Sequence, residues 1–336
     1  NEEMRREMLI HPEFTLSTRT AYGSNELQCA QIDSFIAEKV DLLIVSPNEA
    51  DAIQPAVSRA FRAGIPVIVA DRRVQGNEYT AFIGGDNHRI GQLMGEWLCQ
   101  LATPTKNNIH QPMHVLEVYG LPGSTPARLR HEGLLDVLDS DSAQLGRREI
   151  VLASIGGEWM KEDAYLAVKR YLTSHKNIEA IVAQNDLMAI GAAEAVRDSE
   201  GYGAGSVSIM GVDGIMLGLQ AIVDHTIDCS ATYSSRGDLV IKTAAQILEH
   251  QPFVRDTVLE TTIIDETAAH ALLIQYRDYA HNIETLQTMQ VRSDALPAYK
   301  AVVVILLVII SAPAVRDKFA QITKKIKAKK AVNGGV

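Results

Sequence analysis

The stretch DLLIVSPNEADAIQPAVSRAFRAGIPVIVADRR, residues 41–73, decides the reading of the fold. Its two apolar runs, 41–45 and 67–70, contain almost nothing polar, which is how a strand buried on both faces reads. Residues 50–63 between them read as a helix. A strand, a helix and a second strand in this order describe a parallel pair with the helix crossing over one face.

The same unit recurs along the chain. A helix is expected at 25–38 and a strand at 14–20. Strand 67–70 is followed by a helix at 88–101, with Asn87 as its N-cap. Strand–helix pairs follow at 114–118 with 126–138, 150–154 with 158–174, 178–183 with 187–197, and 207–212 with 216–224. So many units exceed one comfortable sheet. The polar run TPTKNNIHQ, 103–111, is read as the crossover between two lobes. Strand 229–232, helix 237–250 and strand 258–264 then cross back and complete both. The expected fold class is α/β, with two doubly wound parallel-sheet lobes joined by a three-strand hinge. The lobes are expected at 1–108 with 236–256, and at 109–235 with 257–264.

The chain has 336 residues, of which 46% are hydrophobic and 22% charged, enough to bury two cores. The net charge of −9 argues against nucleic acid as a partner. Cys29, Cys99 and Cys229 are far apart and fit no metal spacing, so they read as small buried apolar residues. The opening Asn1-Glu-Glu-Met-Arg-Arg6 has no initiator Met and no apolar core, and is read as starting downstream of the true start.

The last third changes character. Leu272, Tyr276, Tyr279, Ile283 and Leu286 recur at spacings of 4, 3, 4 and 3. Residues 265–295 are therefore read as a connecting helix, with a homodimer through 265–291 as one use of its stripe. AVVVILLVIISA, 301–312, carries no charge, and 296–315 is long enough for a transmembrane helix. From Arg316 to Lys330 there are seven basic residues against one acid, Asp317. That places 316–336 in the cytoplasm and the N-terminal bulk outside it.

In open α/β sheets, ligands sit beyond the carboxyl ends of strands. That rule selects Asp71 and Arg72 after strand 67–70, Gln184, Asn185 and Asp186 after 178–183, and Asp213 after 207–212. Arg130 lies one turn into the helix after 114–118, and Trp159 follows the 150–154 strand. Carboxylates accept hydroxyl protons, guanidinium donates in a planar fork, and indole can stack on sugar C–H groups. Taken singly, an Asp after a strand is more often a turn former and a lone Trp more often core. Their recurrence at one topological edge favours binding a polyol. The sequence has no GxGxxG, P-loop, HExxH or GxSxG, so no enzyme activity, cofactor or metal is expected.

Several segments resemble the periplasmic binding protein type 1 family, which includes ribose-binding proteins and the effector domains of lac-repressor-like regulators. They are Ser46-Pro-Asn48, Ala63-Gly-Ile-Pro-Val67, Asp71-Arg72, Gly85-Asp-Asn87, Gly123–Gly133, Gln184-Asn-Asp186 and Gly211-Val-Asp-Gly214. The resemblance covers about residues 1–265. It implies ligand contacts from Asp71, Arg72, Arg130, Asn185 and Asp213, with Trp159 near the family's stacking aromatic. Ser235 stands where ribose binders have a glutamine. The family's first strand would fall before Asn1. Gly123-Ser-Thr-Pro-Ala127, Asp265-Glu-Thr-Ala-Ala-His270 and the apolar segment after it look like the sensor region of carbohydrate-sensing hybrid two-component histidine kinases. The implied protein is a periplasmic sugar sensor anchored in the inner membrane, signalling by lobe closure to a cytoplasmic kinase module in cis or in trans. A soluble solute-binding component of a sugar ABC transporter and a transcription regulator's effector domain are the alternatives.

Overall fold

The computed structural model describes residues 2–276, apart from 106, 107, 109, 141–145, 204 and 235. In chain order the first elements are α1 (Glu2–Glu7), α2 (Asn25–Glu38), β1 (Leu43–Val45), α3 (Ala50–Arg62), β2 (Val67–Ala70), β3 (Ala81–Gly85) and α4 (Asn87–Leu101). Then come β4 (Met113–Tyr119), α5 (Thr125–Leu138), β5 (Ile150–Gly156), α6 (Lys161–Leu172), β6 (Ile178–Ala183) and α7 (Asp186–Arg197). The remainder is β7 (Ser208–Asp213), α8 (Met216–Val223), β8 (Cys229–Thr232), α9 (Gly237–Leu248), β9 (Asp256–Leu259), β10 (Ile263–Ile264) and a helix over 266–276.

The strands form two sheets. One has the order β1-β2-β3-β9 and is parallel throughout. The other has the order β10-β8-β7-β6-β4-β5 and is parallel except for β10. Each sheet is covered on both faces, as the unbroken apolar strands require. Ile53, Val57, Val67 and Val69 fill one face of the first sheet, and Ile68, Ile83, Val240 and Ala244 the other. In the second sheet, Leu116, Ile181, Met188 and Leu219 sit on one side, with Val115, Val182, Met210 and Leu134 on the opposite side.

Three sequence expectations are corrected. The first crossover is not at 103–111. Helix α4 packs Ile90, Met94 and Leu98 against Val115, Leu134 and Met210 of the second lobe. The chain therefore crosses at Asp86, directly after β3, because the apolar face of α4 belongs to the second core. The expected strand 258–264 is two strands, β9 in the first sheet and β10 in the second. The boundary placed between 256 and 257 thus falls inside β9. Residues 14–20 form no strand: a groove of about 470 Å³ is lined by both Thr15–Arg19 and Leu42–Ile44, and β1 is an edge strand among the described residues.

The helix over 266–276 buries Ala269 and Leu273 in the second lobe's core. Of the expected stripe, Leu272 packs partly against that core and Tyr276 is exposed. Tyr279, Ile283, Leu286 and the segments 296–315 and 316–336 lie outside the described residues. Among the described residues no helix is long and apolar enough to cross a membrane. Cys99 and Cys229 are buried, Cys29 is half-buried, and all three are free thiols.

Helices α4 and α5 cross at backbone contact. A Cβ on Gly91 would lie 1.9 Å from the Arg130 carbonyl oxygen, and one on Gly133 would lie 2.0 Å from that of His88. Neither obstacle is a flexible side chain, so only glycine permits this approach. Gly133→Ala is expected to cost about 1–3 kcal/mol in urea unfolding. Gly203→Ala, whose Cβ would meet open space, is the control and should change stability little.

Candidate functional site

The two sheets aim their carboxyl ends at one cleft of about 480 Å³, a usual size for a small-molecule site. Ser46 and Asp71 follow β1 and β2 of the first lobe. Trp159 follows β5, Asn185 follows β6, Asp213 ends β7, and Tyr233 follows β8 of the second. Arg72, Arg130 and Ile215 complete the polar and apolar lining. Of the residues singled out in the sequence, Asp71, Arg72, Arg130, Trp159, Asn185 and Asp213 line this cleft, whereas Gln184 and Asp186 are fully buried behind it. Ser235 lies outside the described residues.

Arg130 is the centre. Ser124 caps α5 through its hydroxyl, which accepts from Ala127 N at 3.4 Å, and the first turns of the helix carry the guanidinium inward. The residue is 3% exposed. Its Nε donates to Asn87 Oδ1 at 2.9 Å and one terminal nitrogen donates to the Gln184 carbonyl. The other lies 3.9 Å from Asp213 Oδ1. The Trp159 and Tyr233 rings take the faces, with centroids 5.6 and 5.0 Å from Arg130 Cζ. Asn87 is free to serve because it is not the N-cap of α4. Asp86 caps that helix by accepting from Arg89 N at 2.9 Å.

The carboxyls differ in their surroundings. Asp71 Oδ1 accepts from the Tyr233 hydroxyl, while Oδ2 faces Ser46 Oγ at 3.5 Å and Arg72 Nε at 3.6 Å. Asp213 is pushed up to about 7 by burial, opposed by Arg130 and reinforced by the Asp186 and Asp71 charges. About a quarter of its side chain still reaches solvent (26%), which screens these charges in part. Asp186 is fully buried behind the cleft. It accepts from Ser230 Oγ at 2.6 Å and Ile215 N at 2.9 Å, and burial pushes it up to about 6.

Asn185 lines the cleft and also has a structural role. Oδ1 caps α7 by accepting from Met188 N at 2.7 Å, and Nδ2 donates to the Trp159 carbonyl at 3.1 Å. The second Nδ2 hydrogen is not used by either bond. Two donors lack partners. Trp159 Nε1 and Arg72 Nε are buried with no hydrogen bond, a costly state that marks both side chains as incompletely satisfied. Asp71, Trp159 and Asp213 have φ of 70°, 65° and 117°, conformations that favour glycine. Strain gathered on three side chains of one cleft is what functional sites accumulate.

Tyr233 was not expected from the sequence. Its signal was present, since it immediately follows the strand 229–232 and so obeys the strand-tip rule that selected the others. No group of three or more metal-ligating side chains occurs among the described residues.

Comparisons with known proteins bear on the fold and the family. The periplasmic binding protein domain model matches residues 12–252. The ribose import binding protein of Escherichia coli (strain K12) is 28% identical over 226 residues, 66% of this chain and 70% of that protein. The corresponding protein of Salmonella typhimurium is matched over 61% of its length. Pseudomonas aeruginosa has a D-ribose/D-allose-binding protein that is 29% identical over 69% of this chain and 71% of its own. Among solved structures, the fructose-binding periplasmic domain of a hybrid two-component system superposes with a TM-score of 0.76 and 31% identity, covering 86% of this chain and 93% of that one. A solute-binding protein of an ABC transporter from Bacillus halodurans, solved with myo-inositol, gives 0.72 and 25% over 82% and 92%. With its fold, its two-lobed cleft and a family match over most of its length, the chain belongs to the periplasmic binding protein domain family.

Proposed function

We propose that this chain binds a small neutral carbohydrate between its lobes and acts as the extracytoplasmic sensor of a signal-transduction protein. The observation that carries the binding half is the cleft's charge balance together with its unpaired donors. Asp71 and Asp213 face Arg72 and Arg130, so the lining mixes both signs of charge rather than presenting the cationic cluster that a phosphate would favour. It offers acceptors, orphaned N–H donors and an indole face, the set a polyol uses. The names of the relatives, ribose, allose and fructose binders, point the same way. Asp71, Arg72, Arg130, Trp159 and Asp213 are assigned to the ligand, with Asn185 supporting Trp159. The relatives named above are binding proteins, which accords with a chain that performs no catalysis.

The sensor half rests on the hybrid two-component neighbour and on the helix over 266–276, which is anchored in the second lobe by Ala269 and Leu273. A ligand that bridges the lobes favours the closed state only by the contacts it gains there. Closure would carry that helix with the second lobe towards 296–315, the proposed anchor in the inner membrane. The chain would then lie in the periplasm and act on a cytoplasmic kinase module in cis or in trans, with 265–291 available to pair two copies. The second reading is a solute-binding component of a sugar transporter, favoured by the ribose import relatives.

A monosaccharide panel tests the binding. One sugar should raise the unfolding temperature, corresponding to about 2.7 kcal/mol at 100 times its dissociation constant. Asp71→Ala and Arg130→Ala, each compared with its own unliganded state, should lose that shift. Equal stabilisation of the parent and both variants would remove these residues from the site. Cell fractionation separates the two readings, because a sensor should stay with the membrane and a delivery protein should leave with the periplasmic fluid.

Acidity supplies a further check. Asp213 ordinarily titrates near 3.8 and is raised to about 7 in the fold. The folded protein therefore holds a proton that the unfolded chain releases between those values, and stability falls as pH rises through this range. Unliganded protein should gain stability when pH is lowered from 8 to 6. The sugar-induced shift should shrink over the same interval, because a protonated Asp213 is a weaker acceptor. Asp213→Asn should flatten both profiles, and a wild-type response in that variant would assign the titration elsewhere.

A further inference from the structure

Behind the cleft, β4 carries a glutamate where a buried strand would ordinarily be apolar. Glu117 is fully buried between Leu116 and Val118. Its Oε2 accepts from Ser154 Oγ at 2.7 Å and lies 2.7 Å from His131 Nδ1. Its Oε1 accepts from Gln184 Nε2 at 2.8 Å. Ser154 and His131 reach solvent, so the glutamate joins the protein's outer surface to a glutamine that is itself 0% exposed.

Gln184 is where three parts of the cleft meet. Its Nε2 also donates to the Ala127 carbonyl at 3.1 Å, in the first turn of α5, one turn before Arg130. Its Oε1 accepts from Gly120 N at 3.0 Å. Gly120 is the floor under Trp159, since a Cβ there would lie 2.3 Å from indole Cζ2 and Cη2. The Gln184 backbone carbonyl accepts from Arg130. Both amide hydrogens and the amide oxygen are therefore used, and the side chain can face only one way.

We infer that Glu117 and Gln184 form a buried positioning pair that sets Trp159 and Arg130 for the ligand. Glu117 touches no part of the cleft lining. It acts by holding the Gln184 amide, which in turn holds the peptide beneath the indole and the helix turn that carries the guanidinium. Removing the carboxylate orphans one buried amide hydrogen, and the amide relieves this by turning. The Gly120 peptide and the indole above it then lose their fixed position. The inference takes the carbohydrate reading as its basis, but one of its signatures appears without any sugar.

The test uses the full chain in a Trp97→Phe background, so that Trp159 is the single tryptophan. Glu117→Leu should shift the Trp159 emission of the unliganded protein. It should also weaken binding of whichever panel sugar stabilises the parent by roughly tenfold or more. Glu117→Gln, whose amide oxygen can still accept from Gln184, should restore the emission and hold affinity within about threefold. A folded Glu117→Leu protein with unchanged emission and unchanged affinity overturns the inference, even if its melting temperature drops. If that variant does not fold, Gln184→Met removes the amide that Glu117 holds and leaves the carboxylate its two outer neighbours. Altered emission with weaker binding then supports the pair, and no change in either refutes it. A parent that binds no sugar on the panel sinks the carbohydrate reading alone, because the emission comparison still decides the positioning role.

Discussion

A guanidinium buried in a protein interior must be surrounded by acceptors from several directions, and Arg130 imposes that demand on the second lobe. It is 3% exposed and draws on an amide oxygen from α4, a carbonyl from the end of β6 and a carboxyl from the end of β7. Removing any one leaves part of a charge uncompensated in a poorly solvated place. This explains why α4, reached directly from β3 of the first sheet, packs on the second. Only there does Asn87 face Arg130. The glycine contacts of Gly91 and Gly133 serve the same end, bringing the two helices close enough for the amide and the guanidinium to meet.

The cleft-facing layer is built in tension with the layer behind it. Asp71, Trp159 and Asp213 sit at φ values that cost free energy, and each is held there by neighbours. Asp71 donates its backbone N–H to the Ile83 carbonyl and accepts the Tyr233 hydroxyl. The Trp159 carbonyl accepts from Asn185. The Asp213 carbonyl accepts from Tyr233 N at 3.1 Å. Tyr233 thus touches both strained carboxylate residues while covering one face of Arg130. It stands in the second crossing between lobes, so it links the hinge to the site directly.

Much of this was legible before any coordinates. Strands as apolar as 67–70 and 178–183 can only be central parallel strands, and the residues after them fall at the cleft by topology alone. The lobe crossing was not legible, because the loop 103–111 is polar and contains Pro104, whereas the true crossing is a single residue, Asp86. Nothing local distinguishes a helix that packs on the sheet just left from one that packs on the next. Asn185 was legible only in part for a related reason. An Asn after a strand serves equally as a ligand contact or as the cap of the following helix, and hydrogen-bond capacity decides only when the partners are known. Tyr233 shows the converse. The strand-tip rule covers it, whereas the family resemblance points two residues further along, to Ser235.

The helix over 266–276 bears on how a binding event could be read out. Its buried residues, Ala269 and Leu273, join the same core as Leu219, Ile222 and Ile264, so the helix moves with the second lobe as one body. Hinge motion between lobes requires displacement across the three crossings at Asp86, 233–236 and 260–262, and the last of these lies just before this helix. A segment fixed to one lobe immediately beyond a hinge converts lobe rotation into displacement of whatever follows it, with no further moving part. A protein that only delivers its ligand needs the cleft and the hinge. A helix docked past the last crossing is compatible with that use, and in a sensor it would be the element that passes lobe rotation on.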